Sequence, residues 1–407
     1  MIDGRILVPI RVVSEALGMD VSWNDKEQQV KISGDRLVMA LTVNETDVIV
    51  NEEIVNIDVP VQMLNDRVLV PIRFISENFG ANVSWDKSTY TVSIYIDMTN
   101  KTNEDENRDY RQDMRDFVIS ISKEAKRINP NFIIIPQNGG ELLTVNEKKD
   151  YTPALSYIQA IDGVGREDLI YGFEGDNKAT PTDEKEYMLN YLNIAKENGL
   201  SVLVIDYCYT KSLMDASYTE NEELGYISFA ADHRELDHIP KYPENPYRVN
   251  GEDIRSLDEA KNFLFFINPQ QFSNKDDFLR AIQQTNYDLV IIDAYFQDEL
   301  LTSAEVAYLK TKKNGGQRLV LSYMSIGEAE DYRDYWNQGW KTNPPDWLTE
   351  ENPYWEGNYK VKYWDKDWQQ YIYGNKDSYL SKIIHSEFDG VYLDIIDAFW
   401  YFENLQE

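Results

Sequence analysis

Eight strand-sized apolar runs alternate with helical stretches through the larger, C-terminal part of this sequence, and each run ends on a carboxylate or an amide. In order they are Phe132–Asn138, Ala160–Glu167, Val202–Asp206, Ile227–Asp232, Phe263–Asn268, Leu289–Asp293, Leu319–Glu328 and Gly390–Asp394. Helical segments lie between them, for example Asp183–Asn198, with Gly199 placed to cap its C-terminus. Strands and helices in strict alternation build a parallel sheet covered by helices. Eight such units in about 300 residues match the arithmetic of an α/β fold of the (β/α)8 TIM-barrel type. The run ends Asn138, Glu167, Asp206, Asp232, Asn268, Asp293, Glu328 and Asp394 would then gather on the C-terminal rim, where barrels place their sites. A carboxylate closing an apolar strand is costly unless it meets water, a ligand or a partner, so the ring predicts a polar cleft. Some of its members are expected to cap helices or to pair with Arg166, Arg234 and Arg333 instead.

Composition narrows the chemistry. Lys plus Arg number 40 against 71 Asp plus Glu, a net charge of −31 that repels nucleic acid and anionic lipid. Hydrophobic residues at 42% exclude a largely disordered chain, and runs such as Val202–Ile205 and Leu289–Ile292 are too short to cross a membrane. The lone Cys208 excludes a disulfide framework, and three histidines with one cysteine do not make the usual zinc spacings. No histidine ends a strand: His233 follows Asp232, while His238 and His385 fall in loop and helix positions, which leaves acyl transfer by serine or cysteine without its base. No Walker or dinucleotide glycine loop is present. What remains is acid/base work by paired carboxylates, with 28 Tyr and 9 Trp suited to stacking on sugar rings. A divalent metal held by several of the acids is the competing reading.

An internal repeat opens the chain. Residues 3–32 and 65–94 coincide at a constant offset of 62, matching Arg5 with Arg67, Pro9 with Pro71, Arg11 with Arg73, Glu15 with Glu77, Gly18 with Gly80 and Trp23 with Trp85. Each copy reads as a short strand, a proline at the first turn of a helix, a glycine that ends the helix, and a hairpin. The stretch between them, residues 37–61, alternates as strands do. The unit, over residues 1–97, resembles the copper amine oxidase N-terminal-like domain of secreted and surface proteins of Gram-positive-type bacteria. Its arginine, glutamate and tryptophan are read as holding each small unit together. The segment has no His and no Cys to hold copper, so attachment, to a bacterial cell wall for instance, or spacing is its expected role. Residues 98–110 read as a polar linker and 111–407 as the barrel. Met1 starts directly in a structured pattern without a signal peptide, and a trimmed N-terminus is expected.

The motifs SYMSIGEAEDYRDYW (322–336) and FDGVYLDIIDAFWYFE (388–403) resemble glycoside hydrolase family 114, the endo-α-1,4-polygalactosaminidases and their relatives. PQNGGELL (136–143), YIQAIDGVGREDLIYG (157–172) and VLVIDYC (202–208) fit the same superfamily pattern. In the family the segments similar to 263–403 come first and those similar to 132–240 follow, so the resemblance implies a circularly permuted barrel.

The resemblance also implies a catalytic pair. One family carboxylate lies in an FDG-x-x-x-D-x-x-D strand, here Phe388–Asp397, and falls on Asp394. Its partner ends a strand five residues after an Asp, as Glu167 follows Asp162, although Gly163, Gly165 and Arg166 depart from the family's more apolar version. Which of the two is the general acid stays open at this point. Asp293, Glu328, Tyr323, Asp206, Asn138, Tyr392 and Asp397 are candidate substrate ligands. The implied activity is internal cleavage of an amino-sugar polysaccharide by a secreted or cell-surface enzyme, with no cofactor, no metal and no nucleic-acid partner. A negative cleft would concentrate a cationic galactosamine polymer, and the same acidity serves solubility. The alternatives are a carbohydrate- or cell-wall-binding barrel without turnover, and a hydrolase of a different glycan. Glu330 and Asp331 are expected to start the helix after strand seven. The tryptophans Trp336, Trp340, Trp347, Trp355, Trp364 and Trp368 are expected to anchor a long loop, with sugar stacking as their second role.

Overall fold

The computed structural model describes residues 7–11, 14, 20–33, 38–50, 53–57, 59–64, 67–71, 74, 82–86, 91–95, 108–146 and 151–404. The chain divides into two compact units, Met1–Asn107 and Arg108–Glu407.

The first unit is built of antiparallel strands. Asp20–Asn24, Gln29–Ser33, Val38–Thr42, Asp47–Val50 and Glu53–Asn56 pair in chain order as a five-stranded meander. Alternate residues point to one side, which places Val30, Ile32, Met39, Leu41 and Val48 in a small core. The repeat is structural as well as textual. Asp20 faces Ser33 across the first hairpin, and Asn82 faces Tyr95 across the second, again at an offset of 62. Arg11 donates to the Val21 carbonyl at 3.3 Å, so it ties the repeat to itself as expected. The ends of the repeat helices, with Gly18 and Gly80, lie outside the described residues.

The second unit starts at Arg108, inside the stretch read as linker. Asp109 caps the helix Tyr110–Ile128 by accepting from the Gln112 amide at 2.8 Å. Met114, Phe117, Val118, Ile121 and Ala125 recur at helical spacing and form the buried face of that helix. Eight parallel strands follow, taken here as the first to the eighth: Ile133–Pro136, Gly163–Glu167, Ser201–Tyr207, Ile227–Ala231, Phe263–Phe266, Leu289–Asp293, Leu319–Ser325 and Gly390–Asp394. One sheet runs first, eighth, seventh, sixth, fifth; another runs second, third, fourth. A parallel bridge between Gln137 and Gly165 links first to second strand, and the Phe229 and Phe263 rings, 5.8 Å apart, bring fourth and fifth together. The strands read as continuous apolar runs because both faces are covered: Leu289–Ile292 is wholly buried, as is Leu319–Ser325.

The runs seen in sequence are trimmed at their ends. Ala160 closes the helix Leu155–Ala160, so the second strand starts only at Gly163. The seventh strand stops at Ser325, and Glu328–Glu330 belongs to a separate antiparallel sheet with Leu348–Glu351 and Asn358–Val361. The break falls at Gly327, where a β-carbon would sit 2.1 Å from the Ile395 carbonyl oxygen. Glu330 is therefore a strand residue and not the start of a helix. The helix Thr182–Glu197 ends with Asn198 as its cap and Gly199 at φ +81° just beyond. Among the described residues no helix is long and apolar enough to cross a membrane.

Candidate functional site

The strand ends and the loops after them surround a cleft of about 820 Å³. Asn138, Glu167, Asn268, Asp293, Glu328 and Asp394 line it, joined by Tyr323 and Asp397. Asp206, Asp232 and Tyr392 do not.

Asp394 ends the eighth strand. Its Oδ2 accepts from the Tyr323 hydroxyl at 2.7 Å and its Oδ1 from the Ile395 amide at 2.9 Å. Both bonds favour the carboxylate, but burial opposes it more strongly and the nearby Glu167 charge adds to that. The group is pushed up to about 7. Glu167 ends the second strand. The Tyr207 hydroxyl donates to its Oε1, and the Asn138 amide donates to its Oε2 at 2.9 Å. Asn138 Oδ1 in turn accepts from the Glu167 backbone amide at 3.2 Å, so that side chain is held at both ends. The Arg234 guanidinium lies 3.9 Å above the Tyr207 ring and pairs with Asp168 and Asp176. Asp397, one turn beyond Asp394, is raised to about 6, chiefly by burial.

Asp293 and Glu328 are both held in ion pairs. Arg333, itself buried, bonds Asp293 at 2.8 Å and Glu330 at 2.5 Å. Glu328 accepts from Lys360 at 2.7 Å and Asn352 at 2.8 Å, which fastens the antiparallel sheet to the cleft wall. Two expectations are corrected. Asp206 is fully buried and turned away from the cleft: it accepts from the Ile170 amide at 2.7 Å, the Ser217 hydroxyl at 2.7 Å and the Asn221 amide at 2.9 Å. Successive residues of a strand face opposite sides, so Tyr207 points inward where Asp206 points out. Tyr392 lies two residues below Asp394 on the same face, buried in the strand interior with its ring 5.0 Å from Phe265. Its hydroxyl explains the departure noted at Gly165, since a β-carbon there would fall 1.9 Å from that oxygen.

Of the tryptophans, Trp340 packs edge to face on Trp347 at 5.0 Å and Trp347 packs tilted against Trp368 at 5.1 Å, and together they hold the long loop after strand seven. Trp336 and Trp355 line the cleft, the latter 56% exposed. The Trp336 indole nitrogen and the Gln137 side-chain oxygen, at the cleft, have no hydrogen-bond partner among the described residues. Sequence reasoning passed over Tyr207 and Gln137 as site residues, and it read Arg234 as a partner for the strand-end acids, whereas Arg234 pairs with Asp168 and Asp176. The signal for Tyr207 was parity, one residue past the acid at the strand end; Gln137 had no pattern to mark it.

The comparisons agree with this architecture. Residues 1–94 match the copper amine oxidase N-terminal domain, and residues 268–407 match glycoside-hydrolase family GH114. The chain is similar to the uncharacterized protein MJ1477 of Methanocaldococcus jannaschii, 44% identical over 154 residues, which are 37% of this chain and 42% of that one. An uncharacterized protein of Deinococcus radiodurans is 38% identical over 126 residues, 31% of this chain and 38% of its own. Another from Thermotoga maritima is 51% identical over 81 residues, 20% of this chain and 24% of its own. The matched stretches thus span less than half the length of these curated relatives. Two separate segments thus match known families, residues 1–94 the copper amine oxidase N-terminal domain and residues 268–407 glycoside-hydrolase family GH114, each over less than half of the chain.

Proposed function

We propose that the second unit is an endo-acting glycoside hydrolase for an amino-sugar polysaccharide of the polygalactosamine kind, working through Asp394 and Glu167. The observation that carries this reading is the enclosed Asp394 carboxyl, raised to about 7 beside Glu167 in a cleft walled by acids and aromatics. A carboxyl that keeps its proton near neutrality suits the general acid. Asp394 then delivers its proton to the leaving glycosidic oxygen, and Glu167 acts on the opposite side as base or nucleophile. Tyr323 and Tyr207 hold the two carboxyls, and Asn138 and Asp397 complete the floor. The exposed Trp355, with the edge of Trp336 beside it, offers a face for sugar rings. The eight strands close as a (β/α)8 barrel in permuted order, with the GH114 segment last in the chain. The N-terminal domain attaches a secreted enzyme to the cell surface or wall, and no cofactor takes part.

Reducing-end release from acetylated and deacetylated galactosamine polymers and a panel of other glycans tests this. Hydrolysis of a galactosamine polymer is expected, with kcat/KM falling as pH rises above about 7 and dropping about 10²- to 10⁴-fold in folded Asp394→Asn. Unchanged activity in that variant would remove Asp394 from the chemistry. Binding without turnover by the parent would favour a carbohydrate-binding barrel, and turnover of another polymer alone a different glycan.

A further inference from the structure

Two of the chain's three histidines converge on one carboxylate beside the cleft. His233 Nδ1 lies 2.6 Å and His238 Nδ1 2.8 Å from the same oxygen, Asp237 Oδ1. On its far side His238 Nε2 lies 3.0 Å from Asp232 Oδ1. We propose that His233, His238 and Asp237 bind a divalent transition cation, zinc or its like.

The donor set and its geometry carry the argument. Both imidazoles turn Nδ1 toward the one Asp237 oxygen, and a cation bound there would leave the His238 Nε2 facing Asp232 Oδ1 at 3.0 Å. A carboxylate behind a ligating imidazole is the usual outer partner that orients the ring toward a metal. Two imidazoles and a carboxylate suit zinc, nickel, cobalt or copper better than magnesium or calcium, which take oxygen ligands. The three donor atoms lie within 4.8 Å of one another. Bonds of about 2.0–2.1 Å set neighbouring tetrahedral donors about 3.3 Å apart, so the two short contacts must open by about 0.5–0.7 Å. Partly exposed side chains on a loop can make that adjustment, and the exposure leaves a coordination position to water.

The site has a place in the fold. Segment 232–238 carries Arg234, which sits over the Tyr207 ring, and Leu236, which lines the cleft. The Leu236 carbonyl accepts from the Ile267 amide at 3.0 Å, and Gln271 donates to the Asp237 carbonyl, so a metal here clamps a loop already docked to the fifth strand's end. The cation is a loop clamp outside the carboxylate chemistry at Asp394.

Titration of the tag-free full chain with Zn²⁺ in excess Mg²⁺, followed by calorimetry and by the visible absorption of a Co²⁺ form, is the test. One saturable equivalent is expected, with the cobalt bands of a low-coordinate site. Binding should vanish in the His233→Gln/His238→Gln double variant, weaken about 10- to 100-fold in Asp232→Asn, and persist in His385→Gln. Circular dichroism checks that each variant is folded. No saturable Zn²⁺ uptake by the parent overturns the site and leaves the histidines paired through protons alone. So does uptake that survives in the double variant. Neither outcome depends on whether the chain cleaves a polysaccharide.

Discussion

Asp394 is raised to about 7 against an ordinary 3.8, so the folded state holds its proton more tightly than the unfolded chain does. By linkage its contribution to stability is fully present below pH 4 and is lost as pH climbs through about 7. At pH 8 the protein carries a buried charge that it would be more stable without. Asp394→Asn is therefore expected to raise stability by roughly 1–3 kcal/mol at pH 8 and by clearly less at pH 5, where the unfolded carboxyl is ionised but the folded one keeps its proton, so that only part of the contribution has been lost. Urea unfolding at the two pH values reads this, and equal effects at both would refute the assigned titration. The same scale shows what a sequence conceals. That Asp394 and Glu167 reach the cleft was legible in their place at strand ends, and the family resemblance singled them out from the other acids of the ring. Asp206 ends its apolar run too, yet its side chain leaves on the outer face toward Ser217 and Asn221. A one-residue error in parity exchanged it for Tyr207, and only the pairing register sets parity when both faces of a strand are apolar.

At the scale of elements, the strands were readable because most are short apolar runs rich in β-branched or aromatic residues, and their ends were not, because polar loop residues continue the pattern. Leu319–Ser325 passed into Glu328–Glu330 without a visible turn in the sequence; the break is set by contact with Ile395, which lies far along the chain. The fit between the second and eighth strands was equally hidden. Gly165 leaves room for the Tyr392 hydroxyl, which is buried with no hydrogen-bond partner among the described residues. Gly165→Ala forces a β-carbon into that oxygen and is expected to cost about 1–3 kcal/mol, as overpacking does. Tyr392→Phe alone should lie within about 1 kcal/mol of the parent, because it removes an unsatisfied hydroxyl and no bond. In the double variant part of the loss should return. Chemical denaturation of the three variants measures these differences, and an additive double variant would mean that the two residues do not share the space.

For the molecule as a whole, the net charge of −31 was plain in the sequence, but its distribution over the site was not. Asp293 and Glu328 looked like free ligands, and each is ion-paired, Asp293 with the buried Arg333 that it shares with Glu330 and Glu328 with the partly buried Lys360. Glu167 and Asp397 form no salt bridge among the described residues, and beside the largely protonated Asp394 they centre the negative potential of the cleft on its floor. A cationic polymer entering there is drawn by the field of the whole chain, and that attraction is screened within a Debye length of about 10 Å at 0.1 M salt. A neutral, fully acetylated polymer feels only the contacts of the cleft. KM for a deacetylated galactosamine polymer is therefore expected to rise several-fold between about 10 and about 200 mM salt, with kcat little changed. The acetylated polymer should show no such rise. Equal salt dependence for the two would assign the acidity to solubility alone, whereas a rise confined to the cationic polymer ties the charge of the chain to its choice of substrate.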